Sequence, residues 1–274
     1  MNASEVCLRE PTGFSGYPTL GDYTSPYSLY RHVVAAGVQF LRHYEWFWAA
    51  NVMGALLWEP RASIAAGMDM DRGKGEALRD FGMNPTTLPS WQQGRTPILA
   101  LHGKNGTQGT FLKMGTYFEA HQLGPLFTVN LSEGELTEAD REVIDRKIEE
   151  IREICGDQPI DLLGYSRGAE IALYAALDQE SYRIHEGYCY QTQAWTSWRP
   201  EVRRVVRMGS MMTEGEWNYL SPTMQESVWE IRGLDDIHMP EPSCAIHKVE
   251  VEGVGHVGLT SSPEVFEQLK VIFA

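Results

Sequence analysis

Cysteine is scarce in this chain, and nothing in it is spaced like a metal-ligand set. It occurs four times in 274 residues, at Cys7, Cys155, Cys189 and Cys244, with no C-x-x-C pair. Neither a zinc site nor a disulfide scaffold is indicated, and all four read as buried thiols in a reducing compartment. Positive charge is also short, because 23 Lys and Arg against 37 Asp and Glu give a net charge of -14. A field of that sign repels phosphate backbones and anionic lipid surfaces, which argues against a nucleic-acid partner and against strongly anionic substrates. A long uncharged apolar run is missing as well. Within the aromatic stretch 33–58 the longest one is the 13 residues 46–58, between Glu45 and Glu59, where a membrane span needs about 18 to 20. The opening residues, MNASEVCLREPTGFSGYPTL, have no basic start leading into an apolar segment. No secretory signal is expected from them, and the cytoplasm is the default location.

What the chain does have is apolar material for a large core, at 43% hydrophobic residues. Its character changes near residue 90. Residues 1–90 lean to helix and are rich in aromatics, and they read as an N-terminal helical extension. Trp46, Phe47, Trp48 and Trp58 serve there as packing surface, with a lid or a peripheral membrane contact as the alternative role. Residues 91–274 alternate between strand and helix patterns. PILALH (97–102) is a short apolar strand running into the Gly-rich loop HGKNGTQGT. Residues 111–123 have helical spacing, Gly124-Pro125 breaks it, and LFTVNL (126–131) is a strand. Thr137 caps a helix whose Ile144, Ile148, Ile151 and Cys155 recur at three and four, with Asp140 at the capping-box position and Gly156 as the stop. Strands follow at 160–165, 204–208, 227–232 and 245–251, and helices at 169–177 and 263–273. Such alternation predicts an α/β fold with a mostly parallel sheet, helices on both faces, and a site at the carboxyl ends of the strands.

Gly164-Tyr165-Ser166-Arg167-Gly168 is a G-x-S-x-G motif at the junction of a predicted strand and a predicted helix. In that context the two glycines let a nucleophilic serine stand on a sharp turn above the sheet. A serine hydroxyl needs a base, and His256, in the loop Gly253-Val254-Gly255-His256-Val257-Gly258 after the last strand, stands where the order Ser, acid, His requires it. Between them, WEIRGLDDIHMP ends a strand at Gly233 and offers two adjacent carboxylates. Asp236 is preferred as the partner of the imidazole, and Asp235 is the alternative, since one residue of loop register decides between them. Backbone N–H donors for a developing oxyanion are expected at Arg167, directly after the serine, and in the loop after PILALH, at Lys104 with Asn105 in reserve.

Taken together, LALHGKNGT, DLLGYSRGAEIAL, RRVVRMGS, IRGLDDIHMP and VEGVGHVGL resemble the α/β-hydrolase superfamily, and within it the small bacterial triacylglycerol lipases and related lipid deacylases. The resemblance covers residues 97 to 274. It implies a catalytic triad of Ser166, Asp236 and His256 and an oxyanion hole made by Lys104 and Arg167, with no metal or cofactor. The chain departs from that pattern at MMTEGEW (211–217), where those lipases carry a Thr-Pro-His-like segment, and in the 90-residue N-terminal block.

These readings point to a serine hydrolase acting on a small-molecule or lipid carboxylic ester. Thioester, amide or phospholipid acyl cleavage is the alternative chemistry, since a triad leaves the leaving group open. A hydrolase-fold scaffold without catalysis is the alternative class. A second aromatic stretch, YCYQTQAWTSW (188–198), lies where an inserted cap would line an acyl pocket.

Overall fold

The segments 98–101, 126–128 and 160–165 are short, mostly apolar and buried along nearly their whole length, which is the pattern of strands beneath helices on two faces. The computed structural model describes residues 76–132, 137–177, 202–210, 212, 214–236, 238 and 243–274. The aromatic stretches 33–58 and 188–198, and Cys7 and Cys189, lie outside the described residues. Strands β1 (Ile98–Leu101), β2 (Leu126–Thr128), β3 (Ile160–Tyr165), β4 (Val202–Met208), β5 (Val228–Gly233) and β6 (His247–Val251) form one sheet. All the pairings are parallel, in the order β2-β1-β3-β4-β5-β6. The helices are α1 (Leu112–Ala120), α2 (Glu138–Cys155), α3 (167–177), α4 (Glu214–Tyr219), α5 (Pro222–Ser227) and α6 (Pro263–Phe273).

Alternate residues of each strand feed two separate cores. On one face Ile98, Ala100, Leu163, Val206 and Ile231 pack with Met114 and Phe118 of α1 and with Val265 and Leu269 of α6. On the other, Leu99, Leu101, Leu162, Val205 and Val228 pack with Ile144, Ile148 and Ile151 of α2, Ile171 and Leu173 of α3, and Met224 of α5. The expectation of a parallel sheet with helices on both faces is met. Each fully buried isoleucine of α2 contributes on the order of 1.5–3 kcal/mol by leaving water.

The strand order reverses between β1 and β3. After β1 the chain moves outward to β2, and after β3 it moves the other way to β4. The loops leaving the carboxyl ends of β1 and β3 therefore diverge and open a crevice between them, the usual position for a site in an open α/β sheet. Within the described residues no helix is long and apolar enough to cross a membrane.

The elements differ from expectation in a few places. The segment expected to be helical from residue 111 begins as a 3-10 turn at Gln108–Phe111, with the Thr107 hydroxyl accepting from the Gly109 N–H, and becomes α1 at Leu112. Strand β2 is three residues long, and an earlier segment lies along its outer edge. Met83 bridges to Leu126, the Asn84 N–H donates to the Leu126 carbonyl at 2.9 Å, and the Thr128 N–H donates to Asn84 Oδ1 at 2.9 Å. Leu78 and Met83, from the end of the expected extension, lie in the same core as α1. The MMTEGEW departure contributes α4, and Ser221 caps α5 with Pro222 in its first turn. That Ser-Pro start is a helix signal in the sequence.

Helix α2 has the expected capping box. The Asp140 N–H donates to Thr137 Oγ1 at 3.2 Å, and the Thr137 N–H donates to Asp140 Oδ2 at 3.0 Å. Asp140 also accepts from the N–H and hydroxyl of Ser132, both at 2.6 Å. Burial alone would raise the pKa of this carboxyl, but the bonds from Ser132 and Thr137 outweigh it and hold it at about 2, below its ordinary 3.8. A depressed folded-state pKa stabilises above the unfolded value, so this contribution is complete above about pH 4 and disappears as pH falls toward 2. Thr137→Ala is expected to cost about 0.5–2 kcal/mol in urea denaturation, and Asp140→Asn should flatten the loss of stability between pH 4 and 2.

Candidate active site

The turn that carries Ser166 is made by crowding. Three elements converge on Gly164 and Gly168: a Cβ on Gly164 would lie 2.3 Å from Ala169 Cα, and one on Gly168 would lie 2.0 Å from the Leu101 carbonyl oxygen. Only hydrogen fits at either position. Between them Ser166 takes φ 53°, a left-handed conformation that costs a non-glycine residue about 1–2 kcal/mol. Two backbone bonds hold it there. Its N–H donates to the Met208 carbonyl at the end of β4 at 2.7 Å, and its carbonyl accepts from the Ala169 N–H at 2.9 Å. The side chain is half-buried at the crevice.

The loop after β6 brings His256 to this hydroxyl, with Nε2 3.1 Å from Ser166 Oγ. The Nδ1–H donates to Asp236 Oδ2 at 2.7 Å. A carboxylate can only accept, so that bond fixes the proton on Nδ1 and leaves Nε2 free to take one from the serine. Asp236 reaches the ring because the chain turns sharply after β5: its N–H donates to the Gly233 carbonyl at 3.0 Å, and Gly233 passes so close to the Val254 carbonyl that a Cβ would sit 2.1 Å from it. The Asp236 side chain is fully buried, and its other oxygen accepts from the His238 N–H at 2.9 Å. Burial pushes its pKa up, but the charge and hydrogen bond of His256, followed by His238, win and lower it. The neighbouring Asp235 is partly exposed, and its N–H donates to the Val254 carbonyl at 3.0 Å. Of the two carboxylates, the structure brings Asp236 to the imidazole.

The His256 ring is confined on its remaining sides. Tyr165 lies 5.3 Å away between ring centroids, and His238 meets it edge-on at 5.0 Å. Gly209, at φ 61°, lies so close that a Cβ there would be 3.0 Å from His256 Cε1. The loop holding Gly209 rests on a buried guanidinium. Arg207 donates to Glu230 at 3.2 Å across the β4–β5 pairing, to Ser210 Oγ at 3.0 Å and to Met212 Sδ at 3.1 Å.

The loop after β1 abuts the serine from the opposite side, where a Cβ on Gly103 would lie 3.0 Å from Ser166 Cβ. Lys104 and Asn105 follow in an exposed turn closed by the Gly106 N–H donating to the Gly103 carbonyl at 3.0 Å, with Asn105 at φ 56°. Arg167, at the start of α3, directs its side chain away to the β2–α2 connection, donating from Nη1 to the Ser132 carbonyl at 2.8 Å, with Nη2 3.6 Å from Asp140.

Sequence reasoning missed His102, which is 1% exposed. The Leu131 N–H donates to its Nε2 at 2.9 Å, so the ring proton sits on Nδ1 and donates to the Gly103 carbonyl at 2.8 Å. Burial lowers its pKa, partly opposed by the bond to Gly103, and keeps the ring neutral as this arrangement needs. A polar residue ending an apolar strand directly before a glycine was the available signal.

The reversed strand order, the elbow after β3 and the succession Ser, Asp, His along the chain give the described residues the α/β-hydrolase fold that the motifs implied. No protein-family model and no curated protein matches the chain. Solved structures similar to it include a CIB-like hydrolase from Thermoplasma acidophilum, at 15% identity over 68% of this chain and 88% of that one, with a TM-score of 0.45. An α/β serine hydrolase without lid from Xanthomonas campestris is similar at 14% identity over 68% and 85%, TM-score 0.46. Naproxen esterase from Bacillus subtilis is similar at 11% identity over 69% and 86%, TM-score 0.42.

Two glycine substitutions separate backbone strain from displacement of the imidazole. Gly209 and Gly253 both have positive φ, but Gly253 has nothing within 4 Å of a built Cβ. Gly253→Ala is expected to cost about 1–2 kcal/mol through backbone strain, and Gly209→Ala more than that, because its Cβ would also press on Leu259 and His256. Only Gly209→Ala should also slow covalent labelling of Ser166 by a fluorophosphonate probe, and equal labelling rates in the two variants would contradict this geometry.

Proposed function

We propose that the chain is a serine hydrolase that cleaves carboxylic esters through an acyl-enzyme on Ser166. The observation that carries this reading is two hydrogen bonds in series, Ser166 to His256 at 3.1 Å and His256 to Asp236 at 2.7 Å, on a hydroxyl held at the mouth of the crevice. Ser166 Oγ attacks the ester carbonyl carbon as His256 Nε2 takes its proton. Asp236, kept ionised, stabilises the imidazolium and holds its orientation. Negative charge on the former carbonyl oxygen is received by the N–H groups of Arg167 and Lys104. Collapse of the adduct expels the alcohol, which leaves with the proton from His256. Water, deprotonated by the same imidazole, then releases the acid and restores the serine. Every proton in this cycle is accounted for by Ser166, His256 and water.

The net charge of -14 favours substrates that are neutral around the reacting carbonyl. Ser166→Ala is expected to abolish fluorophosphonate labelling and to lower ester turnover by about 10⁶. Asp236→Asn should lower kcat by about 10⁴ by favouring the wrong imidazole tautomer, while Asp235→Asn leaves it near wild type. A panel of p-nitrophenyl esters and acyl thioesters checks the leaving group. Folded wild-type protein that neither turns over esters nor labels at residue 166 would overturn the proposal.

A further inference from the structure

The two proposed oxyanion donors come from different elements, the N–H of Arg167 from the start of α3 and that of Lys104 from the turn after β1. Donors of this kind work only if both are fixed before the charge develops. One chain of contacts connects them. Arg167 Nη1 donates to the Ser132 carbonyl at 2.8 Å, the preceding Leu131 N–H donates to His102 Nε2 at 2.9 Å, and His102 Nδ1 donates to the Gly103 carbonyl at 2.8 Å. Gly103 in turn lies against Ser166, the residue bonded to Arg167. Behind this ring Asp140 grips Ser132 through both its N–H and its hydroxyl and faces the Arg167 guanidinium.

The guanidinium is only partly satisfied where it lies. Its side chain is only 11% exposed, and among the described residues its Nε and Nη2 have no hydrogen-bond partner. Two buried N–H groups without an acceptor are a cost to the fold, set against the charge of Asp140 alongside, which an apolar residue here would leave without its cation.

We infer that the Arg167 side chain is a positioning residue: by bonding the Ser132 carbonyl, with its charge beside the Asp140 carboxylate, it fixes its own backbone N–H and, through Leu131 and His102, the Gly103–Lys104 turn, as one oxyanion-binding unit. The inference rests on the ester-hydrolase reading and adds the source of its preorganisation. Truncating the side chain loosens both donors together and leaves the Ser166, His256 and Asp236 relay in place.

The test compares steady-state p-nitrophenyl ester hydrolysis by the wild type, Arg167→Met, Arg167→Lys, His102→Gln and the Met/Gln double variant. Displacing rather than deleting a donor is expected to lower kcat about 10–100-fold, below the effect of outright removal. KM should change less than about threefold, because the donors act on the transition state. The acid limb of the pH profile stays in place, and Arg167→Lys, which keeps a charge beside Asp140 and an N–H for the Ser132 carbonyl without the fixed fork geometry, recovers part of the loss. The double variant should lose no more than the worse single one, as members of one unit do. Ser221→Ala, which weakens the cap of α5 and touches none of these contacts, should lower Tm and leave kcat unchanged. Wild-type kcat in Arg167→Met, a loss confined to KM, or losses that multiply in the double variant would overturn the inference. If Arg167→Met does not fold, Arg167→Lys decides, a severalfold lower kcat supporting the inference and wild-type kcat overturning it. A wild type without turnover or labelling defeats the hydrolase reading and this inference with it, whereas an active enzyme indifferent to Arg167 defeats this inference alone.

Discussion

The contact on which the rest of the site depends is the one between Gly168 and the Leu101 carbonyl, which a single methyl group would close. It sets the distance between the first turn of α3 and the end of β1. That distance determines how far Ser166 rises above the sheet and where the turn after β1 meets it. The positive φ at Ser166 is the strain left by this compression, and the bond to Met208 spreads it into β4. A relaxed turn would lower the hydroxyl into the sheet. Stability is given up at this point so that one oxygen stands clear of it.

Electrostatics follow the same geometry. Two guanidiniums lie buried beneath the loops that flank the serine, Arg167 beside Asp140 and Arg207 beside Glu230. Burial raises the pKa of Glu230 against the pull of Arg207, whereas the bonds from Ser132 and Thr137 take Asp140 well below the ordinary range. The two carboxylates therefore differ in kind: hydrogen bonds favour the charged form of the helix cap Asp140, whereas burial opposes the charged form of Glu230. Asp140 ties the loop at Ser132 to the start of α2, and Glu230 joins Arg207 across β4 and β5.

Much of this was legible in the sequence because its signals are local. The G-x-S-x-G turn is written in five consecutive residues, and the α2 capping box in four. The order Ser166, Asp236, His256 could be read because each residue follows a strand pattern with a clear end. Choosing between Asp235 and Asp236 took coordinates, since both follow Gly233 and only the path of the Val254 backbone decides which one turns inward. His102 stayed hidden for a related reason. Its partners Leu131 and Gly103 come from different loops, and no spacing rule connects residue 102 with residue 131. The short helices α4 and α5 were missed because each is only six residues long, too short for apolar periodicity to emerge.

The shortness of β2 has a consequence beyond the site. An outermost strand normally presents a row of unpaired backbone groups that a strand from another molecule can join. Here the Leu126 carbonyl and the Thr128 N–H are already taken by the backbone and the side-chain amide of Asn84. The positive φ at Asn84 bends the chain away directly after that contact. This flank of the sheet is thus a poor template for intermolecular strand addition, and the protection comes from a single asparagine acting as a stopper.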